Sequence, residues 1–306
     1  MNLLDMPPIQ MNLSMQYANL ESEKVWSEKI RTAQNFYTSS EIDTVKHGVR
    51  DAMLLHNLYP EQVVSLSRTL SKYGLGIFPA TKGMAQNANT FNHQKIKYVQ
   101  GSSFRFTAIV CRSTSIAEEY FHATYASDDH KIGSILGFPE CCCSFFNEHW
   151  KNGYTDPIWQ QASNAGSEAL KARRTSDERN LIRLRAVGEN WKIISSLRYI
   201  GIRCISHFAC SPDCEKSIEI ANKWIQLGRD LNTKGLNETL EILQLPFEWN
   251  CLKGCLVVSS PVFKFFAPSV ACYPAHIIQQ EGNLFPEEAP NGLSFPWNEF
   301  YRGNRK

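Results

Sequence analysis

Apolar residues recur at helical spacing in the first quarter of the chain. Four of them fall near a 3.6-residue period: Trp26, Ile30, Ala33 and Tyr37. Thr38 and Glu41 have capping-box spacing, which predicts that another helix starts there. A further amphipathic stretch runs from Pro60 to Tyr73, and Gly74 is placed to end it. We therefore expect residues 1–75 to form a helical N-terminal segment.

Runs of β-branched and aromatic residues follow, and they predict short strands. The first three are Gly76–Ala80, Lys95–Gln100 and Phe104–Cys111. A strand over Ile202–Phe208 comes later. Cys255–Ser259 and Val262–Ala267 are separated by Ser260 and Pro261, which predicts a hairpin or two edge strands.

Helical patterns separate these strands. The predicted helices lie near Ser115–Phe121, after Asp128, and over Asp156–Ala172, Ser176–Tyr199, Pro212–Leu231 and Glu238–Leu243. Helices and strands are mixed without a regular alternation, so we predict an α+β fold with a small sheet over residues 76–282. Residues 283–306 are rich in Pro, Gly and aromatic residues, which predicts an irregular tail packed on the domain.

Composition and charge narrow the function classes. The chain has 306 residues, 43% of them hydrophobic, which is enough for a substantial core. Its formal net charge of only +2 does not indicate a global field for nucleic acid or an anionic membrane. Neither a secretory signal nor an apolar run of membrane-spanning length is recognised, so we expect a cytoplasmic protein without a membrane partner. The sequence does not indicate an oligomeric state.

The chemistry is concentrated in ten cysteines, several of which cluster. Thiols in a reducing compartment indicate metal binding or catalysis before disulfides. Two motifs share a Pro-acid-Cys core: Pro139-Glu140-Cys141 and Pro212-Asp213-Cys214. In each, proline is suited to a helix start, which predicts the cysteine near position N3, where unpaired N–H groups favour a thiolate.

We predict that these two helix starts face one another across a cleft. The predicted metal ligands are Cys141, Cys142, Cys210, Cys214 and His207. His207 and Cys214 are also candidate catalytic residues, with His207 as base and Cys214, or alternatively Cys141, as nucleophile. Successive helical positions point about 100° apart, so we assign Cys143 to packing.

The remaining cysteines and histidines are less informative. Cys111 and Cys204 lie in apolar segments and are predicted to be core residues. His130 begins the helix that leads to the first motif, and it is a weaker ligand candidate than His207. Cys251 with Cys255, and Cys272 with His276, have ligand-like spacing, and the sequence leaves their roles open.

The cofactor is predicted as an iron–sulfur cluster or zinc. Thiolates outnumber histidines, which favours iron–sulfur slightly, although the standard spacing of a zinc ribbon or a ferredoxin is absent. The leading hypothesis is a metalloenzyme that acts on a small molecule or a nucleotide. The alternatives are a metal-free cysteine-nucleophile transferase or hydrolase, and a non-catalytic zinc-stabilised binding protein.

An arginine-rich stretch over Arg173–Arg185 falls in a predicted helix and could contact the phosphates of a nucleic acid. Nearby acidic residues, Glu168, Asp177 and Glu178, favour a solvated surface instead.

The two cysteine motifs resemble an uncharacterised prokaryotic family, domain of unknown function 483. The resemblance rests on Gly137, Phe138, Pro139, Cys141 and Cys142 in the first motif. In the second motif it rests on His207, Cys210, Ser211 and Cys214. It implies that these positions form one site and implies no activity.

Overall fold

The computed structural model describes residues 14–80, 106–148, 173–175, 178–184, 190–193, 195–245, 247–252 and 255–268. The helices in these ranges are α1 (Leu20–Lys46), α2 (Pro60–Ser71), α3 (Thr114–Ala126), α4 (Asp129–Ile135), α5 (Glu140–Phe146), α6 (Glu215–Asp230) and α7 (Leu236–Leu243). The strands are β1 (Ser14–Tyr17), β2 (Ala52–Leu58), β3 (Gly76–Pro79), β4 (Phe106–Cys111), β5 (Arg173–Thr175), β6 (Glu178–Leu184), β7 (Phe247–Leu252), β8 (Cys255–Ser259) and β9 (Phe263–Pro268). Helices and two antiparallel sheets are combined, which confirms the predicted α+β class.

A three-stranded sheet with the order β2-β4-β3 is covered on both faces. Its central strand β4 points Ala108 and Val110 toward α1 and α2, and Ile109 and Cys111 toward α3 and α4. Successive strand residues face opposite sides, so a strand covered on both sides must be apolar at every position. The predicted strands at Gly76–Ala80 and Phe104–Cys111 are confirmed as β3 and β4.

The second sheet has six strands in the order β1-β9-β8-β7-β6-β5. β8 and β9 form the predicted hairpin, with Ser259 paired to Lys264. β1 pairs with β9 although they are far apart in sequence. Neither β1 nor β7 was predicted, because a strand that depends on distant partners has little local signal.

Helix α1 joins two cores. Its N-terminal half packs Ile30 and Phe36 against α6 and α7, and its C-terminal half packs Ile42 and Val45 on the three-stranded sheet. The helix start predicted at Thr38 is wrong, since α1 continues through it. The prediction for α2 is confirmed.

The structure corrects two predictions of secondary structure. One lies within residues 1–75 and the other lies C-terminal to them. Residues 52–58 form strand β2, so the N-terminal segment is not wholly helical. The helix predicted over Ser176–Tyr199 is wrong as well, because β6 occupies residues 178–184 and pairs with β5 and β7. Leu181 and Leu184 have helical spacing, but strand partners that are distant in sequence override that local pattern.

The arginine-rich stretch therefore does not form a basic helix. Arg173 and Arg183 lie opposite each other in the β5–β6 pair, at the edge of the six-stranded sheet. Arg185 lies outside the described residues, as do the predicted strand 95–100, the predicted helix 156–172 and the tail 283–306. The division at residue 75 stays a prediction, although β2 pairs with β4 across it.

A largely irregular segment leads to the start of α6, where the second cysteine motif lies. Two short 3-10 helices span Asn190–Ile193 and Ser196–Ile200. The second ends at Gly201, whose φ of 77° suits glycine. Residues 201–214 then run without regular structure to α6. Buried Ile202, Cys204 and Phe208 anchor this loop in the core between α1 and α6. No helix in the described part of the chain combines the length and apolar composition needed to cross a membrane.

Candidate metal centre

The first half of the site is the start of α5. Pro139 is the N-cap residue, and its carbonyl accepts hydrogen bonds from the N–H groups of Cys142 and Cys143. Proline donates no hydrogen bond, and its fixed φ suits a helix start, so this turn follows directly from the sequence. The predicted helix start at Pro139 is confirmed, and Cys141 and Cys142 occupy its first turn.

The second half is the loop that enters α6. Cys214 is the N-cap residue of α6, with its carbonyl accepting from the N–H of Ile218. The predicted helix start at Pro212 is thus wrong by three residues, because Ser211 to Cys214 forms a turn first. The strand predicted over Ile202–Phe208 is also wrong. Residues 202–208 have no strand pairing, and the burial of the apolar side chains in this segment holds it in position before Cys210.

The two halves meet at four sulfur atoms. The Sγ atoms of Cys141, Cys142, Cys210 and Cys214 all lie within 4.8 Å of one another. Cys141 Sγ is 3.9 Å from both Cys142 Sγ and Cys214 Sγ, and Cys142 Sγ is 3.7 Å from Cys214 Sγ. The predicted approach of the two motifs is confirmed. This group of thiols could hold a metal ion.

Three further thiols in the described part of the chain lie apart from this group, as predicted. Cys143 is buried, and its sulfur packs closely on Gly133 of α4. Cys111 and Cys204 are core residues with 0% and 1% exposure. Three adjacent cysteines therefore have two structural roles, because the helix turns Cys143 away from its neighbours.

Ser217 is a site residue that the sequence reasoning missed. Its hydroxyl lies 3.3 Å from the Sγ atoms of both Cys142 and Cys214 and 2.9 Å from Nε2 of His207. Ser217 is fully buried in the first turn of α6. The spacing from Cys214 to Ser217, from N-cap to N3, is the local signal that could have identified it.

His207 contacts the cluster through Ser217. Nε2 of the imidazole lies against the serine oxygen, and Phe138 packs on the ring at 5.2 Å between centroids. A hydroxyl has one proton, so a neutral His207 that donates from Nε2 leaves the Ser217 proton for a sulfur. His207 is thus not one of the four converging groups, and its predicted roles as ligand and catalytic base stay predictions.

Burial keeps His207 neutral. Loss of hydration disfavours the charged ring, and the nearby Arg198 and Arg50 add repulsion, which together lower the pKa of His207 to about 3. A neutral imidazole carries one N–H, so Nε2 donates to the Ser217 oxygen in one tautomer and accepts from it in the other. His207 therefore supports the cluster without carrying a charge near neutral pH.

The buried thiols titrate as a coupled set. The hydrogen bond from the Cys142 thiol, assisted by Ser217, lowers the pKa of Cys214 to about 4. The same bond and burial raise the pKa of Cys142 well above its ordinary range. Burial and the neighbouring Cys214 charge raise the pKa of Cys210 to about 12. One thiolate is thus favoured in this group, and further thiolates require a compensating cation.

Arg50 holds the surrounding elements in place. Its guanidinium pairs with Glu41 of α1 at 3.0 Å, where both side chains are largely buried, and donates to the partly buried Ser206 Oγ at 2.9 Å. It also donates to Thr44 Oγ1 at 2.7 Å. A buried charge that is paired and hydrogen-bonded costs far less than an unpaired one. Arg50 therefore ties α1 to the segment that carries His207.

The roles that the sequence left open for Cys251, Cys255, Cys272 and His276 stay open. Cys251 and Cys255 lie in the β7–β8 pair, opposite Leu256 and Leu252 respectively. His130 is exposed on α4. Cys272 and His276 lie outside the described residues.

Comparisons with known proteins add no relative. No family model matches the chain, and no curated protein or solved structure matches it significantly. The site is therefore interpreted from its own geometry.

Proposed function

We propose that the four cysteines bind one tetrahedral metal ion, zinc in preference to other metals, and that this ion stabilises the fold. The spacing of the sulfur atoms carries the proposal. Four thiolates around one zinc ion at about 2.3 Å must lie about 3.8 Å apart in tetrahedral geometry. Three of the sulfur pairs lie at 3.7 to 3.9 Å.

An iron–sulfur cluster suits these distances less well. In a four-iron cluster each cysteine binds a different iron atom, so the sulfurs lie farther apart than sulfurs on a single ion. Contacts within 4.8 Å for all four cysteines favour one shared ion. The number of thiolates alone favours an iron–sulfur cluster, but the distances between the sulfurs favour zinc, and we therefore propose zinc.

The ion would link the start of α5 to the loop before α6. Cys141 and Cys142 start α5, whereas Cys210 and Cys214 precede α6, and 73 positions separate Cys141 from Cys214. Four protein ligands fill a tetrahedral shell, which is typical of structural zinc sites and leaves no position for substrate. Zinc would also supply the positive charge that the buried thiolates need. The non-catalytic zinc-stabilised protein thus becomes the leading hypothesis.

The two enzyme hypotheses have weaker support. A metal-free nucleophile at Cys214 would need access to substrate, yet Cys214 is only 7% exposed and Ser217 separates it from His207. A metalloenzyme with a small-molecule or nucleotide substrate would need an open metal position. The resemblance to domain of unknown function 483 agrees with a shared cysteine site and remains part of this proposal, as does a cytoplasmic location.

Metal analysis of matched variants tests the proposal. The full chain should purify with one zinc ion, and X-ray absorption should show four sulfur ligands at about 2.3 Å. Cys142→Ser should lose the zinc, because it removes one of the four ligands. Cys143→Ser is the matched control, since it changes the adjacent buried thiol, and it should keep the zinc.

Each alternative has a distinct result. Iron with acid-labile sulfide would support a cluster and overturn the single-ion site. A protein without metal whose Cys214 alkylates rapidly would support the thiol enzyme. Equal zinc content in Cys142→Ser and Cys143→Ser would contradict the ligand assignment.

A further inference from the structure

The four proposed ligands differ in access to solvent. Cys142 and Cys214 are 2% and 7% exposed, and Cys210 is partly exposed. Cys141 is exposed. Among the four residues, Cys141 is therefore the most accessible to a molecule that approaches the cluster from outside, followed by Cys210.

The ligands also differ in their hydrogen bonds. The Ser217 hydroxyl lies within 3.3 Å of the sulfurs of Cys142 and Cys214. For Cys141, the hydrogen-bond partners found within the described ranges are the other sulfur atoms. A donor engages a thiolate lone pair and reduces its nucleophilicity. The single Ser217 proton can reach either of the two sulfurs that burial already protects, and one of them at a time.

The charge of the metal-bound cluster also affects its reactivity. Four thiolates on a divalent cation carry a net charge of −2, so the bound sulfurs remain electron-rich. The ion holds each cysteine as the thiolate, which is the nucleophilic form. A full tetrahedral shell also means that an electrophile would react at sulfur without binding the metal.

We propose that Cys141 is an alkyl acceptor: its metal-bound thiolate takes an alkyl group from small electrophiles with an unhindered sp³ carbon and a leaving group. This inference rests on the proposed zinc site. The sulfur lone pair forms a new S–C bond while the bond from carbon to the leaving group breaks, and the leaving group departs with that electron pair. The neutral thioether product raises the net charge of the cluster from −2 to −1.

Methylation of the zinc-loaded full chain tests this directly. Limiting iodomethane, and separately trimethyl phosphate, would be added, and the modified cysteine would be identified by peptide mass mapping. Zinc retention would be followed by native mass spectrometry. We expect one methyl group on Cys141, with zinc retained and a rate at least about tenfold above that of Cys142, Cys210 or Cys214.

Two controls test whether Cys141 reacts as the zinc-bound thiolate. The Cys143→Ala protein should react at Cys141 like the parent, because Cys143 is outside the cluster. Added free zinc should leave the rate unchanged. A rate that falls with added zinc would show that zinc must leave first, which would overturn the proposal.

The remaining outcomes are also decisive. Equal methylation of the four ligands, a preference for Cys210, or an absence of reaction at Cys141 would overturn the alkyl-acceptor role. If these occur in a protein that holds one zinc ion, the zinc site stands and only this inference fails. If the protein holds no zinc before methylation, the proposed function itself fails.

Discussion

The same residue type has different roles at adjacent positions of α5. Cys141 and Cys142 reach the sulfur cluster, whereas Cys143 packs on Gly133. This division was predictable from the rotation of 100° per residue in a helix. The role of Ser217 was not, because its importance depends on His207 and Cys142, which reach it from other parts of the chain.

Removing the Ser217 hydroxyl should weaken metal binding. Ser217→Ala leaves His207 Nε2 and two sulfurs without their shared partner. Loss of such an outer contact typically costs about 10- to 100-fold in metal affinity. Competition with a chromophoric chelator would measure it, with Ser144→Ala, exposed on α5, as the matched control. Equal affinity in the two variants would contradict the supporting role of Ser217.

His207 should make the protein less stable in acid. Its pKa is about 3 when folded and near 6.5 when unfolded, so between these values only the unfolded chain binds the proton. Unfolding then becomes easier as the pH falls, by about 2 kcal/mol between pH 7 and pH 5. The measurement is urea denaturation in a Cys142→Ser background, where metal release adds no pH dependence.

His207→Gln supplies the comparison, because it removes the titrating ring and retains a polar side chain. The Gln variant should lose about 2 kcal/mol of the total dependence between pH 7 and pH 5, and the part that remains belongs to other groups such as Cys214. An unchanged dependence would show that another group causes it.

At the scale of elements, the site depends on the close packing of α4 and α5. Gly133 of α4 lies where a Cβ would overlap the sulfur of Cys143. Gly137, with φ of 75°, makes the turn between the two helices, and Arg50 packs against it. Small residues at these two positions let α5 present its first turn to the Cys210–Cys214 loop.

Gly133→Ala should therefore destabilise the protein. An added methyl group in a packed core typically costs about 1–3 kcal/mol. Cys143→Ala in the same chain should recover part of this loss, because it removes the sulfur that the new methyl would meet. Thermal unfolding of the two single variants and the double variant would measure the coupling. Strictly additive effects would contradict the packing explanation.

At the scale of the whole molecule, α1 and the proposed ion connect the parts of the fold. The three-stranded sheet has its own core against α1 and α2. The helical core around α6 includes Cys142 and Cys214. The proposed zinc site therefore borders one core and not the other.

Metal removal should affect these regions unequally. Chelation should lower the melting temperature, since an ion that binds only the folded state stabilises it. Hydrogen exchange should accelerate in α5 and at the start of α6, while β4 stays protected. The Cys142→Ser variant, already without metal, should not respond to chelator. Uniform acceleration would indicate that the ion supports the whole fold.

Much of the sequence-based prediction succeeded where local physics is sufficient. Proline 139 starts α5, Asp128 caps α4 through the N–H of Lys131, and the Ser260 turn joins β8 to β9. The prediction failed where contacts with residues that are distant in sequence determine the secondary structure. β6 is a strand because it pairs with β5 and β7, and residues 202–208 have no regular secondary structure.

Local sequence was thus sufficient to identify two cysteine-bearing turns, because proline geometry and helix periodicity act over a few residues. Long-range packing selected four sulfurs from these turns and placed Ser217 between them and His207. Cys141 and Cys214 are 73 positions apart, so their 3.9 Å contact depends on how α1, α6 and the loop before α6 pack together. The same packing buried Cys142 and Cys214, covered Cys210 in part and left the Cys141 residue exposed.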